Sequence, residues 1–203
     1  MSEKNSHAIF WEFSSPDATN NRAWWADDEI ETESIICPLD DGHQRSGEYR
    51  SDLSVLLTQE PVQDIVWTWY SDCLIQDHVL DAFRSAGLTG FEIKPVKARF
   101  RSKKKAHLTP PRLWELVVTG SAGLAPPESG VRVLEECSAC GYVRYSKITD
   151  QSKRISPEQW DGTDFFHVKP SGYKFITDRV KKGIQTHKFR GSKFVRPEDI
   201  KNP

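Results

Sequence analysis

A chain of 203 residues, 37 % hydrophobic and 11 % aromatic, can bury one large core or two small ones, which excludes a disordered chain. Its 28 basic and 29 acidic side chains leave a formal net charge of -1, so no global field draws it onto nucleic acid or an anionic membrane, and any such binding must be local. No run reaches the roughly 18 to 20 apolar residues that a bilayer-spanning helix needs, and residues 1–7 lack the apolar stretch of a secretion signal, so a cytoplasmic location is expected.

Residues 8–13 (AIFWEF) predict an opening strand. Trp24 and Trp25 follow, beside an acidic cluster of Asp27, Asp28, Glu29, Glu31, Glu33, Asp40 and Asp41 with no Lys or Arg between Arg22 and Arg45. Exposed tryptophan next to charge is typical of an interface anchor, and two rings covering the edge of the core fit the same residues.

Residues 64–69 (DIVWTW) are β-branched and aromatic and predict a buried strand. Leu74, Ile75, Val79, Leu80 and Phe83 then recur at helical spacing, with Ser71 or Asp72 as cap and Gly87 as stop. Residues 91–96 predict the next strand. The basic run Lys97, Arg99, Arg101, Lys103, Lys104 and Lys105 reads as a solvated edge strand whose lysines block sheet pairing, or as a phosphate contact. Strands over 111–120 and 131–135 flank the turn-rich segment 121–130, a boundary between an N-terminal half, 1–120, and a C-terminal half, 121–203, or a bend within one compact unit.

The second half repeats the first. Residues 164–168 predict a strand, Phe175, Ile176, Val180 and Ile184 a helical face, and 193–195 a strand after Gly191. At an offset of 101, Ile75 matches Ile176, Asp77 matches Asp178, Val79 matches Val180 and Gly90 matches Gly191. The expected fold is therefore α+β, with two related halves, each a cysteine turn followed by strand-helix-strand units on mixed or antiparallel sheet. Residues 197–203 are expected to fray.

The turn Cys137-Ser138-Ala139-Cys140-Gly141 presents two thiolates to one tetrahedral metal, and its glycine takes the positive φ of a tight bend. A closed structural site needs four ligands. Residues 36–41 align with 136–141 and supply Cys37 together with His43 or Asp40. Cys37, His43, Cys137 and Cys140 would make a Cys₃His zinc site joining the halves, with Asp40, in the slot of a second cysteine, as the alternative ligand. The competing reading is a decayed knuckle whose cysteines pack as small apolar residues. A redox role is disfavoured because the turn opens no helix after a strand. Cys73, between strand and helix, reads as a structural thiol.

No His-x-x-x-His pair, Gly-x-Ser-x-Gly elbow, phosphate loop or Gly-x-Gly-x-x-Gly turn occurs, which leaves nothing to build a catalytic mechanism on. The layout of two distant cysteine turns, each trailed by strand and helix, resembles the double-CXXCG family of bacterial proteins. The resemblance covers about residues 35–195. It is carried best by Cys137 to Gly141 and by the stretches WDGTDFF (160–166) and FITDRV (175–180). It implies an immunity protein of a polymorphic or contact-dependent toxin system, one that binds and neutralises a cognate toxin without chemistry of its own. It also implies zinc held by the paired turns, a role carried here to Cys37, Cys137 and Cys140, with Asp40 a departure from the pattern. Trp24, Trp25, Asp27, Asp28, Glu29, Glu31 and Glu33 are the expected partner surface, because charge complementarity steers association. The rival expectation is a zinc-knuckle nucleic-acid-binding or regulatory protein that contacts phosphates through 97–105.

Overall fold

The computed structural model describes residues 8–16, 22–26 and 30–200. In chain order the strands of the first half are β1 (Phe10–Ser14), β2 (Trp24–Trp25), β3 (Thr32–Ile35), β4 (Arg45–Tyr49), β5 (Ser54–Leu57), β6 (Ile65–Trp67), β7 (Cys73–Gln76) and β8 (Phe91–Phe100), with helix α1 (Asp77–Ser85) between the last two. Then come β9 (Leu113–Val118), β10 (Gly120–Leu124), β11 (Val133–Glu136), β12 (Val143–Tyr145), β13 (Phe165–Lys169), β14 (Lys174–Thr177), helix α2 (Asp178–Thr186) and β15 (Lys193–Val195). The architecture is α+β.

Six strands form one sheet in the order β2-β5-β8-β9-β7-β6, and five form another in the order β10-β13-β14-β1-β15. Two separate hairpins, β3-β4 and β11-β12, stand apart as ribbons. The first sheet comes round on itself, because β2 pairs with β5 at one edge while Ala23 bridges to Thr68 beyond β6 at the other.

The repeat is real at the level of strand order. The run β6-β7-β9-β8 corresponds to β13-β14-β1-β15, so that β1, the first strand of the chain, fills in the C-terminal sheet the place that β9 fills in the N-terminal one. Residues 10–13 (FWEF) and 113–116 (LWEL) are accordingly the same element. Trp11 lies opposite Ile176 and Trp114 opposite Ile75. Trp11 Nε1 donates to Asp178 Oδ1 at 3.2 Å and Trp114 Nε1 to Asp77 Oδ1 at 2.6 Å, each tying its strand to the first residue of a helix. Divided at residue 106, between β8 and β9, rather than at 120, the chain has two halves that each lend a strand to the other.

Alternation along the strands divides the core. Ile65, Trp67, Cys73 and Ile75 face a central cluster with Phe13, Phe165 and Ile176 of the second sheet and with Val79, Leu80, Phe83, Val180 and Ile184 of the two helices. Val66, Leu74 and Leu113 point the other way, into the closed sheet, with Leu53, Val55, Leu57 and Phe100. Phe10, Phe166, Val168 and Phe175 do the same in the second half.

Leu74, Ile75, Phe175 and Ile176 lie on strands, not on the helices whose spacing they extend. Each helix starts only at the aspartate, Asp77 or Asp178. Strand pairing on both sides of β7 and β14 satisfies the backbone through residues 76 and 177 and overrides the helical period. Two further differences concern the sheets. The stretch after Gly120, expected as loop, continues as β10 parallel to β13, and the basic run starts on the far end of β8, where residues 97–100 pair with β5 on one side while β9 reaches only as far as Val96.

Candidate metal centre

The two ribbons carry the cysteine turns at their tips. Between β3 and β4, Cys37 is followed by a short turn, Asp41–His43, whose start is capped by Asp40 Oδ1 accepting from the Gly42 amide at 2.8 Å. Between β11 and β12, Cys137 and Cys140 are held by Gly141 N–H donating to the Cys137 carbonyl and Cys137 N–H donating to the Tyr142 carbonyl, both at 2.8 Å.

The tips meet. Cys37 Sγ lies 3.7 Å from Cys137 Sγ, and Cys140 Sγ lies 3.9 Å from His43 Nδ1. The four ligand atoms of Cys37, His43, Cys137 and Cys140 all fall within 4.8 Å of one another. A tetrahedral zinc at ordinary bond lengths sets its sulfurs about 3.8 Å apart and sulfur from nitrogen about 3.5 Å apart, so this set fits a four-ligand metal ion. His43 rather than Asp40 completes it. Asp40 Oδ2 instead lies 3.5 Å from the opposite ring nitrogen, Nε2.

The surroundings support ligation. His43 is buried and stacked on Tyr142, with ring centroids 4.3 Å apart. Its Nε2 is 3.0 Å from Glu135 Oε1, and Arg144 Nε holds the other Glu135 oxygen at 3.0 Å. A carboxylate on the far nitrogen fixes the tautomer that leaves Nδ1 free to bind a metal. Arg144, with His43 next, keeps the Glu135 carboxyl below its ordinary range. Arg45 donates to the Cys140 carbonyl at 2.7 Å and approaches Cys140 Sγ at 3.7 Å. Burial opposes ionisation of Cys140, but Arg45, the Tyr142 amide and the adjacent sulfurs prevail and hold its thiol down to about 6. The amides of Cys140 and Ala139 lower Cys137 as well. At Cys37 the Leu39 amide favours the thiolate, yet burial and the neighbouring sulfurs keep that thiol above its usual value. Two of the three thiols are thus prepared to lose the proton that metal binding removes.

Among the described residues, the other predicted site residues lie on or next to β2 and β3. Asp27, Asp28 and Glu29 lie outside the described residues. Glu31 and Glu33 are exposed, Glu33 facing Arg50 at 3.4 Å. Trp24 is 41 % exposed, but its neighbours are Trp69, at 5.4 Å between ring centroids, and Arg101, whose guanidinium stands 4.7 Å over the ring. Trp25 stacks on the exposed Tyr70 and donates to Asp72 Oδ2 at 2.8 Å.

Sequence reasoning placed Trp69 at the end of a buried strand, whereas it is 38 % exposed, and missed the exposed Tyr70 just past that strand and the exposed Ile36 and Leu39 flanking Cys37. It also missed the supporting shell of Arg45, Glu135 and Arg144. For Arg45 and Glu135 the signal was available, as charged residues two positions from His43 and from Cys137, whereas Arg144 comes from the far strand of its ribbon. Among the described residues no helix is long and apolar enough to cross a membrane. Neither the scan against protein-family models nor the search of curated proteins returns a match to this chain.

Proposed function

We propose that this chain is an immunity protein that binds a cognate bacterial toxin in the cytoplasm and neutralises it by occluding its surface, with a structural zinc ion in the Cys37, His43, Cys137 and Cys140 cluster. The observation that carries the reading is the meeting of two cysteine turns a hundred residues apart, Cys37 Sγ and Cys137 Sγ at 3.7 Å. That convergence is what the resemblance to the double-CXXCG family requires of its paired turns. The ion staples the ribbons, and the acidic side chains around 27–41, with the apolar Ile36 and Leu39, form the face offered to a basic toxin. Nothing in this role requires a catalytic group.

The test is co-expression with the toxic domain encoded beside the gene. Rescue of growth and a stoichiometric complex are expected, and failure of both would sink the reading. Within a working pair, Glu31→Lys combined with Glu33→Lys should slow association at low salt. An unchanged on-rate would move the interface elsewhere.

A second reading has one specific observation behind it. Arg101, from the basic run, covers the exposed Trp24, and Arg22 stands 5.0 Å over Trp69, a pairing of cations with aromatic faces suited to single-stranded nucleic acid. Steeply salt-dependent binding to a single-stranded oligonucleotide would favour this reading over immunity.

A further inference from the structure

Arg154 lies at the end of the short turn Gln151–Lys153, packed beneath the β13-β14 connection, and is 4 % exposed. Its guanidinium stands 4.8 Å over the Tyr173 ring and 5.7 Å over Phe175. Nε and Nη1 are both closed off from solvent and find no acceptor among the described residues. Glu12 is near enough to favour the charge but makes no ion pair with it, and burial outweighs that help, drawing the guanidinium below its ordinary basicity. A buried cation without a direct ion-pair partner is costly, and the two aromatic faces return only part of that cost. The arrangement is that of a cation kept for an anion that the chain itself does not supply.

A half-open cleft of about 310 Å³ adjoins it, between residues 146–154 and the turn 170–173. Besides Arg154, Lys147, Gln151 and Tyr173 line it, and no described carboxylate does. The hydroxyl of Ser171 there already donates to the Val168 carbonyl, so positive charge rather than hydroxyl donation does the recognising. Guanidinium attracts the oxygens of phosphate by its permanent charge, and a cleft of this size takes a phosphate with a small organic group attached. We propose that this cleft, built around Arg154 and Lys147, binds a small phosphate-class oxyanion, either free phosphate or a phosphomonoester. The site lies on the second half of the chain and is independent of the toxin-binding reading.

Calorimetric titration of the full chain with inorganic phosphate, at an ionic strength matched by chloride, tests it. Saturable binding is expected, together with a rise in melting temperature that grows with phosphate concentration. Arg154→Met, which removes an uncompensated charge while filling the space, should weaken binding by about tenfold or more. Lys147→Gln, at a less buried position, should weaken it severalfold. Tighter binding of phenyl phosphate than of phosphate would identify a phosphomonoester site, and the reverse a site for the free ion. Absence of heat and melting shift in phosphate beyond the chloride control overturns the proposal, as does equal binding by wild type and Arg154→Met. Should Arg154→Met not fold, unchanged phosphate affinity in Lys147→Gln overturns it instead.

Discussion

Glu115 and Glu12 hold the same place in the equivalent strands β9 and β1, and burial raises both carboxyls. At Glu115 burial comes first and Asp72 adds to it, pushing the pKa from 4.5 up to about 7. A carboxyl that is raised in the folded state stabilises the fold while protonated. Its contribution is complete below the unfolded value of 4.5 and is lost as pH rises through about 7. Glu115→Gln should therefore match wild type in stability near the acid end of that window and exceed it by roughly 2 kcal/mol at pH 8. Urea unfolding of both proteins across the window decides it, and a difference that does not change with pH would show that the glutamate is not held protonated. A second residue-scale contrast lies at the helix ends. Gly87, at φ 60, and Lys188, at φ 57, follow α1 and α2, and in each case the next amide reaches back to close the helix, Leu88 to Phe83 and Phe189 to Ile184. Only one of them is the residue suited to that backbone. Lys188→Gly should raise stability by about 0.5 to 1 kcal/mol, read as a shift of the denaturation midpoint at constant slope.

At the scale of elements, the two ribbons have little apolar interior of their own. Val133, Leu134, Ile36 and Leu39 are all exposed. What joins ribbon to ribbon is the sulfur and imidazole cluster with the ion pairs behind it, so an ion bound there should stabilise the ribbons more than the sheets. Chelation is expected to raise proteolytic cleavage within 32–49 and 133–145 first, with the central sheets resisting. Cys140→Ser should reproduce that pattern without chelator, and Glu135→Gln should weaken metal binding by about 10-fold to 100-fold through loss of the grip on His43. Cleavage that is indifferent to chelator would show that the cluster holds no structural ion. The cluster of Cys37, His43, Cys137 and Cys140 was legible in the sequence because cysteine spacing is local chemistry, and because the offset of 100 between Cys37 and Cys137 is nearly that of the helices, 101. The start of each helix was not, because Leu74 and Ile75 carry an apolar pattern that fits strand and helix alike. Pairing with β6 on one side and with β9, about 40 positions later, on the other decides between them. The aromatic surface was half legible: Trp24 was picked out, but its neighbours Trp69 and Arg101 come from just past β6 and β8 and reach it only through the fold.

The whole molecule is held as one piece by exchange between its halves. Besides lending strands to each other, they interlock at matched points: Ile65 N–H donates to the Arg190 carbonyl and Phe165 N–H to the Thr89 carbonyl, both at 3.0 Å. Asp64 takes the Arg190 amide, and Asp164 takes the Thr89 amide. Immediately after those residues, Gly191 and Gly90 press their backbones against the carbonyls of Ile65 and Phe165, so a side chain at either position would collide with the opposite half. Gly191→Ala should cost about 3 kcal/mol or more, combining that clash with its φ of 103. The same geometry governs what fragments can do. Residues 1–106 hold β6, β7 and β8 but lack β9, which lies between β7 and β8, and 107–203 lack β1, which lies between β14 and β15. Each fragment alone leaves an open slot in its sheet and half of the central core bare, so neither should show a cooperative unfolding transition. Mixed, they should restore one transition and elute as a single species of full size. The strands fill each other's slots, and Phe13 and Leu116 return to the shared core. Independent cooperative folding of either fragment would mean that its own first strand can fold back into its own sheet, and that the exchange seen in the intact chain is not what holds the two halves together.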